Sequence, residues 1–224
     1  MANKKEILIN DRDEYIIDTC AGKRVLHTGA TDWPLTKEKL NNNSLLYKEI
    51  DKVAVAQLGI DLDKESVDYL NGIGFKNSSL QVCDLNEMNQ LDFNPEIIIF
   101  TETIEHLTNA GTALENFKQI MDEDSILIIS TPNSYALNNF ISALNHNENQ
   151  HPDHSLAFTP KTLKQLLVKC GYQIDAFYFT FMKSSSDPRI LNWKGRILSS
   201  VQRYLCKFFP MFSNNMLVVA KKKK

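Results

Sequence analysis

The sequence predicts an α/β fold, a mostly parallel sheet with helices on both faces. Three observations carry this prediction. Arg24-Val-Leu-His-Thr-Gly29 and Gln57-Leu-Gly-Ile-Asp-Leu62 are short apolar runs that end in a small or acidic residue, and segments of helical spacing follow them. Ile97-Ile-Ile-Phe100 is an unbroken apolar run, as expected of a strand buried on both faces. Strand-like and helix-like segments alternate to the end, with no internal repeat and no linker, so residues 1–224 read as one domain.

In chain order, residues 1–22 read as a lead-in helix that stops at Gly22. Lys23 to Gly29 is the first strand. Pro34 and three consecutive Asn make part of Thr31 to Asn43 a loop, and helical spacing resumes from Ser44 to Val53. Ala54 to Leu62 is the second strand, and a helix from Lys64 is stopped by Gly72 and Gly74. Leu80 to Leu85 and Pro95 to Thr101 are the third and fourth strands. A helix from about Thr112 leads into the fifth, Ser125 to Ser130. A helix over Ala136 to Leu144 precedes the polar loop Asn145 to His154. Thr159 and Pro160 then supply an N-cap and a first helical residue. Gln173 to Met182 and Asn215 to Ala220 complete the strands.

Composition narrows the function classes. No apolar run reaches the roughly 18 residues that a membrane span needs. Met1 to Glu6 is charged and has no apolar stretch after it, which predicts no secretory signal. Cys20, Cys83, Cys170 and Cys206 lack paired spacing and read as reduced thiols, so the expected location is cytoplasmic. Charge is uneven: from Lys183 onward there are ten Lys/Arg against one acid, Asp187, leaving an acidic body.

Ligands of an open parallel sheet bind beyond the carboxyl ends of its strands. There, Gly29 lets a ligand approach the backbone closely, Asp61 suits vicinal ribose hydroxyls, and Asp84 suits an exocyclic amine. Thr101 and Glu102 end the fourth strand.

These segments, with Val82-Cys-Asp-Leu85, Ile98-Ile-Phe-Thr-Glu-Thr-Ile-Glu-His-Leu107, Ile128-Ile-Ser-Thr-Pro-Asn133 and His154-Ser-Leu-Ala-Phe-Thr-Pro-Lys-Thr-Leu163, give the chain a family resemblance. From about Arg24 to Ile174 it resembles the class I S-adenosylmethionine-dependent methyltransferases, in the broad group of ubiquinone-biosynthesis and sugar O-methyltransferases. The resemblance implies a Rossmann-like sheet of seven strands in the order 3-2-1-4-5-7-6. It also implies S-adenosylmethionine as cofactor, held by His27, Thr28, Gly29, Asp61, Leu62, Asp84, Leu85, Thr101 and Glu102. The family's acid-x-Gly-x-Gly-x-Gly loop is altered: His27 stands for the acid, only Gly29 of the glycines remains, and Asp32 is the nearest replacement carboxylate.

Glu102, Glu105 and His106 have helical spacing and would share one face of a helix. His106 is a candidate general base, and the loop holding His151 and His154 is placed to fold over it, making His154 a second candidate. Glu102, Glu105, His106 and His154 also suit a divalent ion, magnesium or manganese, a pattern similar to that of small-RNA 3′-terminal ribose methyltransferases; this set ranks below metal-free acid–base chemistry.

Residues 183–212 form a basic amphipathic insertion. Ile190, Trp193, Ile197, Val201, Tyr204 and Phe208 make an apolar stripe that predicts a helix packed on the sheet. The alternative is peripheral contact of residues 189–209 with an anionic membrane or a lipid-linked substrate, to which the Lys221–Lys224 tail would add charge. Nucleic acid is disfavoured, since no basic-aromatic stacking motif occurs elsewhere. The expected activity is methylation of a hydroxyl on a small molecule or sugar. The alternatives are a metal-assisted RNA ribose methyltransferase and a non-catalytic interaction module.

Overall fold

A computed structural model describes residues 7–88, 91–181 and 193–223, and the side chains of all of these but Ile7 and residues 193–199. Of the predicted apolar stripe, Ile190 and the side chains of Trp193 and Ile197 lie outside what is described. The strands are β1 (Ile7–Leu8), β2 (Arg24–Thr28), β3 (Ala56–Asp61), β4 (Ser78–Val82), β5 (Ile97–Thr101), β6 (Ile126–Pro132), β7 (Tyr172–Thr180) and β8 (Asn215–Lys222). They form one sheet in the order β1-β7-β8-β6-β5-β2-β3-β4. All neighbours are parallel except β8, which runs antiparallel to β6 and β7. Leaving aside β1, this is the seven-stranded order expected from the sequence.

The lead-in differs from expectation. The helix α1 (Arg12–Cys20) starts only at Arg12, because the Asp11 carboxylate caps the amides of Asp13 and Glu14. Ahead of it, β1 adds a short parallel edge to β7. The other helices are α2 (Thr36–Asn41), α3 (Leu46–Asp51), α4 (Lys64–Ile73), α5 (Ala110–Ile120), α6 (Leu137–Leu144), α7 (Pro160–Lys169) and α8 (Trp193–Cys206). Thr159 caps α7 in a reciprocal box with Thr162, as its sequence signature predicts.

Sheet and helices meet in two layers. On one face, Leu26, Ile98, Phe100, Leu127 and Ile129 pack against Ala113, Leu114 and Phe117 of α5 and Leu163 and Leu167 of α7. On the other, Val25, Ile97, Ile99 and Ile128 pack against Ile16 and Cys20 of α1 and Leu46 and Ile50 of α3. Every residue of β5 is buried, so this strand is the spine of both layers. Each buried Ile or Phe contributes about 1.5–3 kcal/mol relative to exposure.

Two expectations about the C-terminal third fail. In the described part of α8 the apolar stripe does not face inward: Val201 and Tyr204 are exposed, as is Phe208 just beyond the helix, while Gln202 and Cys206 are buried. The reason is polar. Gln202 Nε2 donates to the Phe212 carbonyl and the Asn214 side chain, closing the turn between α8 and β8, and this fixes the rotation of the helix. The lysine run is not a free tail either. Lys221 and Lys222 belong to β8, where Lys221 pairs with Asp175 and Lys222 donates to the Lys118 carbonyl. Eight strand residues span roughly 25 Å, so these lysines sit at the opposite end of the sheet from Phe208.

Two glycines give opposite expectations. At Gly59 in β3, a Cβ would lie 2.6 Å from Tyr47 Cε2 and 3.0 Å from Ala30 Cβ. Gly59→Ala is expected to destabilise by about 1–3 kcal/mol through overpacking. At Gly72 in α4 a Cβ meets nothing within 4 Å. Gly72→Ala is expected to stabilise by about 0.4–1 kcal/mol. Denaturant midpoints of the two variants check both signs.

Candidate methyl-transfer site

The parallel strands end together beside Gly29, Asp61 and Glu102. Gly29 has φ 65°, and its amide and that of Ala30 both donate to the Ile60 carbonyl, which ties the first loop to the end of β3. A Cβ on Gly29 would lie 2.7 Å from Thr103 Oγ1, so this position takes no side chain without displacing the loop after β5.

Beyond Gly29 the altered loop has its own bracing. Thr31, at the family's second glycine, donates its amide (3.0 Å) and hydroxyl (2.7 Å) to Asp61 Oδ2. Asp61 Oδ1 accepts the Asp63 amide. A carboxylate offers about four acceptor positions, so Asp61 has room for about one ribose hydroxyl rather than two. Asp32 adopts φ 56° and pairs with Lys39 at 2.7 Å, so its carboxylate is committed rather than standing in for the missing acid. Leu62 presents an exposed apolar side chain beside Asp61, as the face of an adenine would require. Asp84 uses Oδ1 to hold the amide and side chain of Asn86, while Leu85 is buried in the core. Thr28 is buried with its hydroxyl on the Ile99 carbonyl, so only its backbone borders the site. The residues present therefore fit S-adenosylmethionine, with tighter terms at Asp61 than the family pattern suggests.

His27 is buried and its Nδ1 has no hydrogen-bond partner. Burial, then the nearby Arg12 charge, push its pKa down to about 3, so the imidazole is neutral. The family's acid is thus replaced by an uncharged group at the floor of the site.

Past β5 the backbone turns sharply. Thr101 is buried at the strand end, and Glu102 takes φ 48°. Ile104–His106 form a single 3-10 turn, so Glu102, Glu105 and His106 do not share a helical face as their spacing suggested. Each has its own partners. Glu102 Oε1 accepts from Ser130 Oγ at 2.6 Å, Asn215 Nδ2 at 3.0 Å and Arg12 Nη1 at 3.2 Å. Glu105 is buried and accepts from Thr131 Oγ1 at 3.0 Å. Burial, then the Glu102 charge, raise the Glu105 pKa well above the ordinary carboxyl range. Ser130 and Thr131 explain the conjunction of the Glu-x-x-Glu-His and Ser-Thr-Pro-Asn segments, since adjacent hydroxyls on β6 hold the two carboxylates.

The polar loop does fold over this turn. The Ser155 and Leu156 amides donate to the Glu105 carbonyl, and the Asp153 carbonyl lies 3.2 Å from His106 Nδ1. His106 and His154 meet edge to face with ring centroids 4.7 Å apart, and His151 lies 5.4 Å from His154. Burial, then the neighbouring His106 and His151, lower the His154 pKa. Ligand atoms of Glu105, His106 and His154 fall within 4.8 Å of one another. Glu102 is not in that group, because Arg12, Ser130 and Asn215 hold its oxygens.

Residues 3–176 match the sequence profile described as a methyltransferase domain. The chain belongs to the methyltransferase domain family. It is a class I S-adenosylmethionine-dependent methyltransferase. No curated protein matches the sequence. In structure it is similar to an S-adenosylmethionine-dependent methyltransferase from Archaeoglobus fulgidus, at 18% identity and TM-score 0.58 over 93% of this chain and 90% of that one. It is also similar to the magnesium protoporphyrin IX methyltransferase of Synechocystis with bound S-adenosylhomocysteine, at 12% identity and TM-score 0.60 over 94% and 82%. The [4+2]-cyclase SpnF shares the fold at 12% identity and TM-score 0.56 over 94% and 81%. The same scaffold therefore carries more than one chemistry, and the acceptor has to be read from the site itself.

Arg12, Ser130, Thr131 and Asn215 had no role in the sequence reading. Arg12 and Asn215 lie far in sequence from Glu102 and belong to no local pattern. Ser130 and Thr131 lay inside a recognised segment, and their strict adjacency was the available signal.

Folded His27 takes up a proton only near about 3, against an ordinary 6.5. Between those values the unfolded chain binds more protons, so stability falls as pH falls through that window. The raised Glu105 has the opposite sign above the ordinary carboxyl range. In His27→Gln the loss of stability from pH 6.5 to pH 4 is expected to shrink by about 1–3 kcal/mol. Equal slopes in wild type and variant, from urea titrations across this range, would remove His27 as the source.

Proposed function

We propose that this methyltransferase acts on a hydroxyl of a small molecule or sugar, with His106 or His154 taking the hydroxyl proton. The observation that carries the reading is the edge-to-face imidazole pair, held on Glu105 just past the end of β5. Gly29, Asp61, Leu62 and Asp84 would hold the cofactor. S-adenosylmethionine supplies a methyl carbon already activated as a sulfonium. What remains for the chain is alignment of the acceptor oxygen and removal of its proton.

Burial of His154, then its crowding by His106 and His151, favours its neutral, proton-accepting form. The proton leaves the acceptor oxygen as the oxygen–carbon bond forms and the carbon–sulfur bond breaks. A ring nitrogen of His106 or His154 receives it. The half-buried Glu102 and buried Glu105 beneath keep that turn in place, since each is held by a hydroxyl of β6.

A second reading has its own support in the close approach of Glu105, His106 and His154. A divalent ion on these three groups would bind a diol such as a terminal ribose and acidify one hydroxyl. Two imidazoles with one carboxylate suit manganese better than magnesium.

Calorimetric titration with S-adenosylhomocysteine, with and without each metal, tests both readings. Micromolar binding is expected for the wild type and a loss of about tenfold or more for Asp61→Ala, the equivalent of one good hydrogen bond to a charged group. Unchanged affinity in Asp61→Ala would sink the ribose assignment. His106→Ala and His154→Ala are expected to retain cofactor affinity. One of them is expected to lose about 100-fold in turnover on any accepted hydroxyl substrate. Activity abolished by a chelator and restored by manganese would select the metal reading instead.

A further inference from the structure

The exposed aromatic face between α8 and β8 holds none of the residues assigned above to the cofactor or to proton transfer. Tyr204 and Phe208 stack at 5.7 Å, and Phe209 and Phe212 at 6.0 Å. All four rings are exposed, Phe208 to 65%. Met211 continues the face into a groove of about 590 Å³ that it shares with Tyr135 and the outer side of α7. Contiguous exposed apolar surface of this kind marks an interaction site.

Its surroundings are cationic. Exposed Lys207 directly precedes Phe208, and Lys161 and Lys164 line the groove, while the Arg203 guanidinium lies 4.8 Å over the Phe181 ring. No acidic residue occurs from Pro188 to Lys224, nor between Asp153 and Asp175. The face is also placed at the mouth of the site. Asn215 starts β8 opposite Pro132 at the carboxyl end of β6, and its side chain holds Glu102. Asn133 Nδ2 donates to the carbonyls of Met211 and Ser213, fixing the aromatic turn to the same strand end.

We propose that this face docks the protein on an anionic lipid bilayer, with the aromatic side chains entering the headgroup boundary and the lysines meeting lipid phosphates. Aromatic and basic groups together are the chemistry that an anionic interface selects. A second copy of this chain on the same face would bring its lysines against those of the first and is disfavoured by like charge. Docking needs no cofactor, so it stands apart from the methyl-transfer reading. If that reading holds, docking points the site mouth at the bilayer and the acceptor hydroxyl belongs to an amphipathic molecule presented there.

Vesicle flotation of the full chain tests this, with phosphatidylcholine vesicles and with the same lipid mixed with phosphatidylglycerol. Binding is expected only to the anionic vesicles and is expected to weaken with added salt. The double variant Phe208→Ser/Phe209→Ser changes two exposed side chains and should keep the wild-type unfolding midpoint. It is expected to lose about tenfold or more in binding, and Lys207→Glu to lose several-fold. Absence of wild-type binding to anionic vesicles would overturn the proposal, as would undiminished binding of the double variant. A dimer by light scattering that the double variant dissolves would also overturn it, by assigning the face to a second copy.

Discussion

The architecture of the site depends on the carboxylate of Glu102. One oxygen takes hydrogen bonds or an ion pair from Arg12 on α1, Ser130 on β6 and Asn215 on β8, so three separated segments converge on a single group. Arg12 is buried, and burial alone would disfavour its charge. Asp13 and Glu102 outweigh that and hold its pKa above the ordinary value. A buried ion pair gives little net stability, yet leaving one partner uncompensated costs about 3–5 kcal/mol, so each member demands the others. The left-handed backbone of Glu102 fits this view: the main chain accepts an unfavourable conformation so that the carboxylate can reach its partners.

A second, adjacent constraint follows from the first. Once Ser130 binds Glu102, the next residue on β6 is Thr131, which faces Glu105 and holds the start of the 3-10 turn. That turn offers its carbonyl to the polar loop and so sets the distance between His106 and His154. The altered first loop is braced by a related device. Thr31 grips Asp61 where the family has its second glycine, and Lys39 grips Asp32 beside it, so side-chain bonds support a loop in which the family uses the freedom of glycine.

Much of the fold was legible because it rests on local patterns. Ile97-Ile-Ile-Phe100 had to be a buried strand, and Thr159-Pro160 had to open a helix. The alternation of strands and helices, with right-handed crossovers, restricts the possible sheet orders severely. The approach of the His151–His154 loop to His106 was also anticipated, because a polar loop after β6 returns over the strand ends. What escaped was set by distant partners. Glu102, Glu105 and His106 have helical spacing, but three separate hydrogen-bond partners pull the segment out of a helix. The stripe on α8 gave the right period and the wrong face. Periodicity reports that two faces differ, not which one is covered, and here Gln202 decided the rotation by satisfying the turn before β8. The short start of α1 followed from a cap at Asp11, a signal present in the sequence but weaker than the helical spacing ahead of it.

The site therefore combines a rigid floor with a variable rim. The floor is made of strand ends, the carboxyl groups of Glu102 and Glu105 and the neutral His27, each fixed by burial or by hydrogen bonds to neighbouring strands. The rim is made of the histidine loop and the aromatic turn. The loop is tied to the floor through the Glu105 carbonyl, and the turn through Asn133 and Asn215. Such a division lets one part hold a constant cofactor while the other is reshaped for the acceptor without unpacking the core. The two parts also differ in how they could be read: the strand ends of the floor follow local apolar patterns, whereas the bonds that tie the rim to them, from Asn133, Asn215 and the Glu105 carbonyl, join residues far apart in sequence.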